Sequence, residues 1–215
     1  MIRSVIKYVA KPFETLIVYD LGLTSNTLHI LQEKGIAVRS FPFSQHKAYF
    51  NIDVHAGQYA WKPVIIQSVA NDFPEENILW MDAGNIVHQS LEALDAFITK
   101  NGIYTAVSSG TVKKWTHPDT LKYMHVPNKM LVFPCRNAAC VGFNPRIPYA
   151  KQVLQEWSDL AQIEECIAPS GSSRSNHRQD QAVLTILFYK CIMTHSFAMF
   201  NAIQGFGYTI HNDID

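Results

Sequence analysis

The sequence has little of what usually announces a chemistry. Its four cysteines, Cys135, Cys140, Cys166 and Cys191, lack the paired short spacing of a zinc ribbon or a redox Cys-x-x-Cys. Buried free thiols are the state this spacing favours, although in an oxidising compartment Cys135 could pair with Cys140 or Cys166. The nine histidines are scattered, with no His-Glu-x-x-His, so zinc is poorly supported. No Gly-x-Ser-x-Gly elbow is present, and Cys140 lies in an apolar run where a thiolate is disfavoured, which argues against nucleophilic catalysis. A phosphate-binding glycine loop is missing as well; Gly205-Phe206-Gly207 reads as a turn. No apolar run approaches the roughly 20 residues of a membrane-spanning helix, and the apolar block in residues 1–11 is too short for a signal peptide. Charge of one sign is lacking too: 18 lysines and arginines balance 18 aspartates and glutamates, so no global field argues for nucleic acid.

What is present is a globular composition, 47% hydrophobic and 17% charged, over 215 residues, the size of a single α/β domain spanning 1–215. Residues 2–10 suit a short amphipathic helix stopped by Lys11-Pro12. Residues 15–20 (Thr-Leu-Ile-Val-Tyr-Asp) predict a strand, residues 24–34 a helix capped by Thr24 or Ser25 and ended by Gly35, and residues 37–43 a second strand. This strand-helix-strand rhythm is the signature of a mostly parallel sheet covered by helices. Residues 44–57 read as a polar loop near the site, with His46, Asp53 and His55. A helix follows from Trp61 to Asn71, with Pro63 in its first turn. Further on, residues 85–100 predict a helix, 103–107 a strand, 108–132 a surface excursion of the kind that recognises a substrate, 138–143 a strand and 149–161 a helix. Residues 168–176 are long and polar enough to act as a lid, and residues 177–181 open a last helix. The tail, with His195 and His211, carries weak strand signals.

The stretch Ile78 to Asn85 (Ile-Leu-Trp-Met-Asp-Ala-Gly-Asn) is the best candidate for the chemistry. It reads as a buried strand delivering Asp82 to its carboxyl end, where open α/β sheets bind ligands; an ordinary turn with Asp82 as a cap is the alternative. Hard cations take carboxylate oxygens, and one or two suffice when phosphates complete the shell. Lys62 could neutralise phosphate charge and Arg178 could do so with a planar fork. His177, Arg178, Asp180 and Gln181 fall around a helix start, where anions meet backbone N–H groups.

Taken together, Tyr19-Asp20-Leu21-Gly22-Leu23, Tyr59-Ala60-Trp61-Lys62-Pro63, Leu79-Trp80-Met81-Asp82-Ala83-Gly84-Asn85 and His177-Arg178-Gln179-Asp180-Gln181 resemble nucleotide-sugar glycosyltransferases of the GT-A fold. The likeness runs over roughly residues 15–189. It implies a Rossmann-like, mixed but mostly parallel sheet flanked by helices, here starting in the helix after the fold's opening strand. By this resemblance Asp82 is the ligand of Mn²⁺ or Mg²⁺ and, with Ala83, Gly84 and Asn85, of the donor diphosphate. Gly84 stands where the family's Asp-x-Asp motif has its second acid. Lys62, His177 and Arg178 would face the nucleotide, and Asp180 with Gln181 would face the sugar and acceptor, Asp180 as base or positioning residue. The implied partners are a nucleotide-sugar donor, UDP-sugar favoured, and a glycan, lipid or protein acceptor, with no nucleic acid.

Two other readings stand beside it. One is a nucleotide- or carbohydrate-binding domain of the same fold without turnover. The other is a haloacid-dehalogenase-like phosphatase, from Asp20-Leu21-Gly22-Leu23-Thr24, in which the essential second acid is missing. Compartment is not readable: the chain as given reads as soluble, cytoplasmic, or of the Golgi or secretory lumen if an anchor or signal preceded it.

Overall fold

The computed structural model describes residues 2–8, 15–202 and 205–210. The expected helix stop at Lys11-Pro12 and the tail histidine His211 lie outside the described residues.

Helix α1 (Ile2–Tyr8) comes first, followed by strand β1 (Ile17–Asp20), helix α2 (Ser25–Glu33) and strand β2 (Ala37–Ser40). The rhythm read from the sequence holds here: β1 and β2 pair in parallel, from Ile17 against Ala37 to Asp20 against Ser40, with α2 as the crossover. Thr24 caps α2 by accepting the Thr27 N–H at 3.3 Å. Two short 3₁₀ turns (Phe43–Gln45 and Ala48–Phe50) and a left-handed turn at His55–Tyr59 then lead into α3 (Trp61–Asp72) and β3 (Ile78–Met81). Next come β4 (Ile86–Val87), α4 (Glu92–Asn101), β5 (Ile103–Thr111), α5 (Val112–Trp115) and α6 (Pro118–Tyr123). The chain closes with β6 (Pro134–Phe143), α7 (Pro148–Ala161), α8 (Glu164–Ile167), α9 (Gln179–Thr194) and β7 (Tyr208–Thr209).

The architecture is mixed α/β, but the sheet is not mostly parallel among the described residues. β3 and β5 run the same way, as a strand-helix-strand unit through α4 requires, yet β6 is inserted between them and pairs antiparallel with both. Hydrophobic periodicity carries no information on strand direction, so the later insertion could not be read locally. Parallel pairing is confined to β1 and β2, and β4 pairs antiparallel with β7. That last pair also corrects the helix expected over 85–100: Ile86 and Val87 are strand residues because their partners, Thr209 and Tyr208, lie far away in sequence. β1 and β3 present edges that no described strand covers, and a cavity of about 670 Å³ with a mixed lining lies between them, with Ile17, Tyr19 and Trp80 on one part and Glu76, Asp95 and Arg146 on another.

The main core is built on β6. Val141 and Phe143 meet Trp157 and Leu154 of α7 and Val183, Ile186 and Phe188 of α9, all at most 1% exposed. Each such side chain contributes about 1.5–3 kcal/mol by leaving water. The segment expected to be a surface excursion contributes as well, since Val112, Thr120 and Met130 are fully buried. All four cysteines are free and buried, as their spacing favours.

Candidate functional site

β6 and β5 continue past the end of β3, so the residue after Met81 leaves the sheet beside the middle of β6. The Asp82 N–H donates to the Ala139 carbonyl at 2.7 Å, which turns the Asp82 side chain over Ala138 and Ala139. Register shifts between Thr105 and Thr111 open β5 away from β6 at the same level, and Ser108, Ser109 and Asn137 fill the gap. The result is a polar cavity of about 370 Å³ above the carboxyl end of β3.

Its floor is an ion cluster. Lys62, in the first turn of α3, is 3% exposed. Its Nζ lies 3.1 Å from Asp82 Oδ1, 3.2 Å from Asp82 Oδ2, 3.2 Å from Asp180 Oδ2 and 3.3 Å from the Ala138 carbonyl. Four oxygens thus surround one ammonium. The contact with Asp180 has ion-pair distance without the angle of an aligned hydrogen bond. Trp80 Nε1 donates to Asp82 Oδ1 at 2.6 Å and so fixes that carboxylate from the other side. Asp180 sits in the first turn of α9, and the Trp157 indole anchors that turn by donating to the Asp180 carbonyl at 2.9 Å.

Burial and pairing oppose each other in this cluster. Burial lowers the proton affinity of Lys62, but Asp180 and Asp82 more than offset it, so the ammonium titrates above its ordinary range. For Asp180 burial dominates and Lys62 offsets only part of it, so its carboxyl is pushed up to about 6. A carboxylate poised near neutrality at a cavity floor is what proton transfer uses.

Two arginines stand on aromatic faces at the walls. The Arg178 guanidinium lies 4.3 Å over the Trp115 ring, and its backbone N–H donates to the Trp115 carbonyl at 3.0 Å. Arg174, from the 168–176 segment, lies 5.9 Å over Tyr59 and donates to the Tyr59 hydroxyl at 2.9 Å. A guanidinium held beside an aromatic ring at the wall of a polar cavity is a planar donor of the kind that takes a phosphate. Three cations and two acids line the cavity.

The backbone that delivers Tyr59 and Lys62 is strained. His55, Ala56, Gly57, Gln58 and Tyr59 all have φ between 49° and 59°, one left-handed turn that ends one residue before Trp61. Such a run costs about 1–2 kcal/mol per non-glycine residue. Gly57 is required there, because a Cβ would lie 2.4 Å from the Phe50 carbonyl oxygen. Trp61 Nε1 closes the turn on the Ala56 carbonyl at 3.0 Å. Gln179, across the cavity, has φ 32° and donates to Gln58 at 3.3 Å, so strain gathers on both sides of the site.

Of the residues singled out from sequence, Lys62, Asp82, Arg178, Asp180 and Gln181 line this one cavity. Ala83 and Gly84 form an exposed turn beside it, and Asn85 is buried with its amide on the Ala139 carbonyl at 2.7 Å. His177 is corrected: it is fully buried, its Nε2–H donates to the Ile167 carbonyl at 2.9 Å, and its Nδ1 accepts the His117 N–H at 3.2 Å. Both ring nitrogens are used, which fixes the neutral tautomer, and burial lowers its pKa to about 4. His177 therefore holds the loops together and does not face the cavity. His46 is likewise stacked between Phe41 and Phe50, both at 4.6 Å. Tyr59, Ser108, Ser109, Asn137 and Arg174 were missed; Trp115 and Arg174 fall in the two segments read as substrate-recognition and lid segments.

The fit to a divalent metal is poor. Both oxygens of Asp82 are taken up by Lys62 and Trp80, Gly84 offers no second carboxylate, and the amide nitrogen of Asn85 is committed to backbone. Among the described residues no group of three or more His, Cys, Asp or Glu side chains converges.

No family model matches the sequence, and no curated protein matches it. Among solved structures, the apo form of mouse xyloside xylosyltransferase 1 is similar with a TM-score of 0.41 and 12% identity, over 82% of this chain and 68% of that one. The likeness is to a glycosyltransferase, and at this score it carries no argument about the chemistry.

Proposed function

We propose that the chain is a glycosyltransferase that moves a sugar from a nucleotide-diphosphate donor, a UDP-sugar by preference, to an acceptor hydroxyl of a glycan, lipid or protein. The observation that carries the reading is the convergence of three sequence blocks on one atom. Lys62, Asp82 and Asp180, from Trp-Lys-Pro, Trp-Met-Asp-Ala-Gly and His-Arg-Gln-Asp-Gln, meet within 3.2 Å of the Lys62 Nζ at the floor of a polar cavity. In the reaction the acceptor oxygen bonds to the anomeric carbon as the bond to the diphosphate breaks. Arg178 and Arg174 would take the phosphate charge that develops on the departing group. Asp180 would receive or orient the acceptor proton, with Gln181, Ser108, Ser109 and Asn137 holding sugar hydroxyls. Mn²⁺ or Mg²⁺ at Asp82, which the resemblance implies, enters no step, because Lys62 and Trp80 already take up that carboxylate.

The buried state of Asp180, 4% exposed, favours a second reading: a domain that binds a nucleotide or carbohydrate without turnover. A panel of UDP- and GDP-sugars decides between them. Transfer or slow hydrolysis of one donor, abolished in Asp180→Ala with nucleotide binding retained, is the expected result. Binding without any turnover would leave the second reading, and neither binding nor turnover would remove both.

A further inference from the structure

We infer that Lys62 is the resident cation of this site: its ammonium neutralises Asp82 from beneath, as a divalent metal would from the cavity, so the diphosphate binds without metal. The identity of the diphosphate rests on the transferase reading; the cation inference rests on geometry.

Asp82 is the one acid that both leaves the end of β3 and faces the cavity, with its side chain 34% exposed. Alone it would repel a diphosphate. A metal solves that problem by bridging carboxylate and phosphate oxygens. Here Lys62 Nζ already touches both Asp82 oxygens, Asp180 Oδ2 and the Ala138 carbonyl, all between 3.1 and 3.3 Å. Two of its three donors are used in hydrogen bonds to Asp82 Oδ2 and the Ala138 carbonyl, and the other two oxygens lie at ion-pair distance. The charges agree: Lys62 and Asp82 neutralise each other, and Arg178 stands on the same cavity lining as Asp180. The position is also enforced. Lys62 is 3% exposed and its Nζ lies 5.6 Å from the centre of the Tyr59 ring and 6.0 Å from that of Trp61, so its charge is held below the cavity surface beside two rings. Gly84, where a second metal-binding acid would stand, is consistent with a site that has no metal to hold.

The test uses the full chain, with inorganic pyrophosphate and UDP as probes and calorimetric titration in EDTA and in Mn²⁺. The expected result is a dissociation constant that differs by less than about threefold between the two conditions, and a loss of about tenfold or more in Arg178→Gln under both. Titration of Mn²⁺ itself gives the sharper readout. Lys62→Met frees two carboxylates and should gain on the order of tenfold or more in Mn²⁺ affinity over wild type. Probe binding that appears only with Mn²⁺, or no probe binding in either condition, overturns the inference. So does a folded Lys62→Met that gains no Mn²⁺ affinity; if that variant does not fold, the wild-type and Arg178→Gln titrations decide. The transferase reading fails separately: pyrophosphate and UDP bound in EDTA with no sugar donor consumed would end that reading and leave the resident cation in place. Donor turnover strictly dependent on Mn²⁺ would do the reverse.

Discussion

The floor of the cavity and the layer behind it both bury ionisable side chains, and they treat them in opposite ways. On the floor, Lys62, Asp82 and Asp180 face one another across 3.1–3.2 Å. Behind it, Arg136 and His177, both fully buried, meet backbone and aromatic rings instead. Arg136 Nη2 donates to the Thr105 carbonyl and, at 2.6 Å, to the Phe200 carbonyl, and its guanidinium lies 4.5 Å from the Phe188 ring centre. Its Nε and Nη1 have no aligned hydrogen-bond partner among the described residues. Burial accordingly lowers the pKa of Arg136, with Tyr189 offsetting part of the effect, whereas the two acids raise that of Lys62. A buried ion held by carbonyls and rings ties chain segments together. One held by other ions beside a cavity sets the net charge that a ligand meets there.

The largest effect expected from this contrast is on catalysis. Asp180→Asn should lower kcat by about 10²–10⁴-fold while leaving the affinity for UDP within a few-fold, since the change removes a proton acceptor and not a phosphate contact. In the wild type, kcat/KM should fall as pH drops below about 6, where the Asp180 carboxyl takes up its proton. A kcat unchanged in Asp180→Asn would erase the functional half of the contrast.

Stability against pH sharpens it further, because Asp180 and His177 act with opposite sign. The folded pKa of His177, about 4, is depressed below its ordinary 6.5, so its contribution is present above pH 6.5 and is lost as pH falls towards 4. The folded pKa of Asp180, about 6, is raised above 3.8, so its contribution is present below 3.8 and is lost as pH rises towards 6. Each amounts to about 3 kcal/mol, and between pH 4 and 6 the two slopes cancel. Denaturant unfolding across that window should show Asp180→Asn gaining stability relative to wild type as pH rises, and His177→Gln losing it. Two difference curves of the same sign would mean that the two regions do not differ in kind.

Part of this was legible in the sequence. An acid after an apolar strand and another at a helix start are local signals, and Asp82 and Asp180 do share the cavity with Lys62 and Arg178. What escaped depends on distant partners. His177 looked like a ligand because its neighbours are polar, and its ring is held by Ile167 at the end of α8 and His117 at the start of α6. The left-handed turn at 55–59 contains a single glycine, so nothing in its composition announces five positive φ angles. Arg174 and Tyr59 are 115 residues apart, and their hydrogen bond is a property of two loops meeting at one cavity. The antiparallel insertion of β6 is of the same kind, set by pairing rather than by periodicity.

The smallest effect tests the structural half of the contrast. Arg136→Leu removes a buried charge with two unsatisfied nitrogens, a change that by itself stabilises, but it strands the carbonyls of Thr105 and Phe200 and loses the contact with Phe188. Two stranded acceptors at about 1–3 kcal/mol each outweigh the relief, so a net loss of about 2 kcal/mol is expected in denaturant unfolding. The loss should be local, centred on the segment around Phe200 that Arg136 ties to β5. Hydrogen exchange at Val107, whose N–H donates to the Ala202 carbonyl at 2.9 Å, should then quicken before exchange in α7 does. UDP affinity should stay at the wild-type value, because Arg136 does not line the cavity. If Arg136→Leu instead weakened UDP as Arg178→Gln is expected to, the two kinds of buried cation would not be separable by their partners, and the reason for assigning the chemistry to Lys62 alone would go with them.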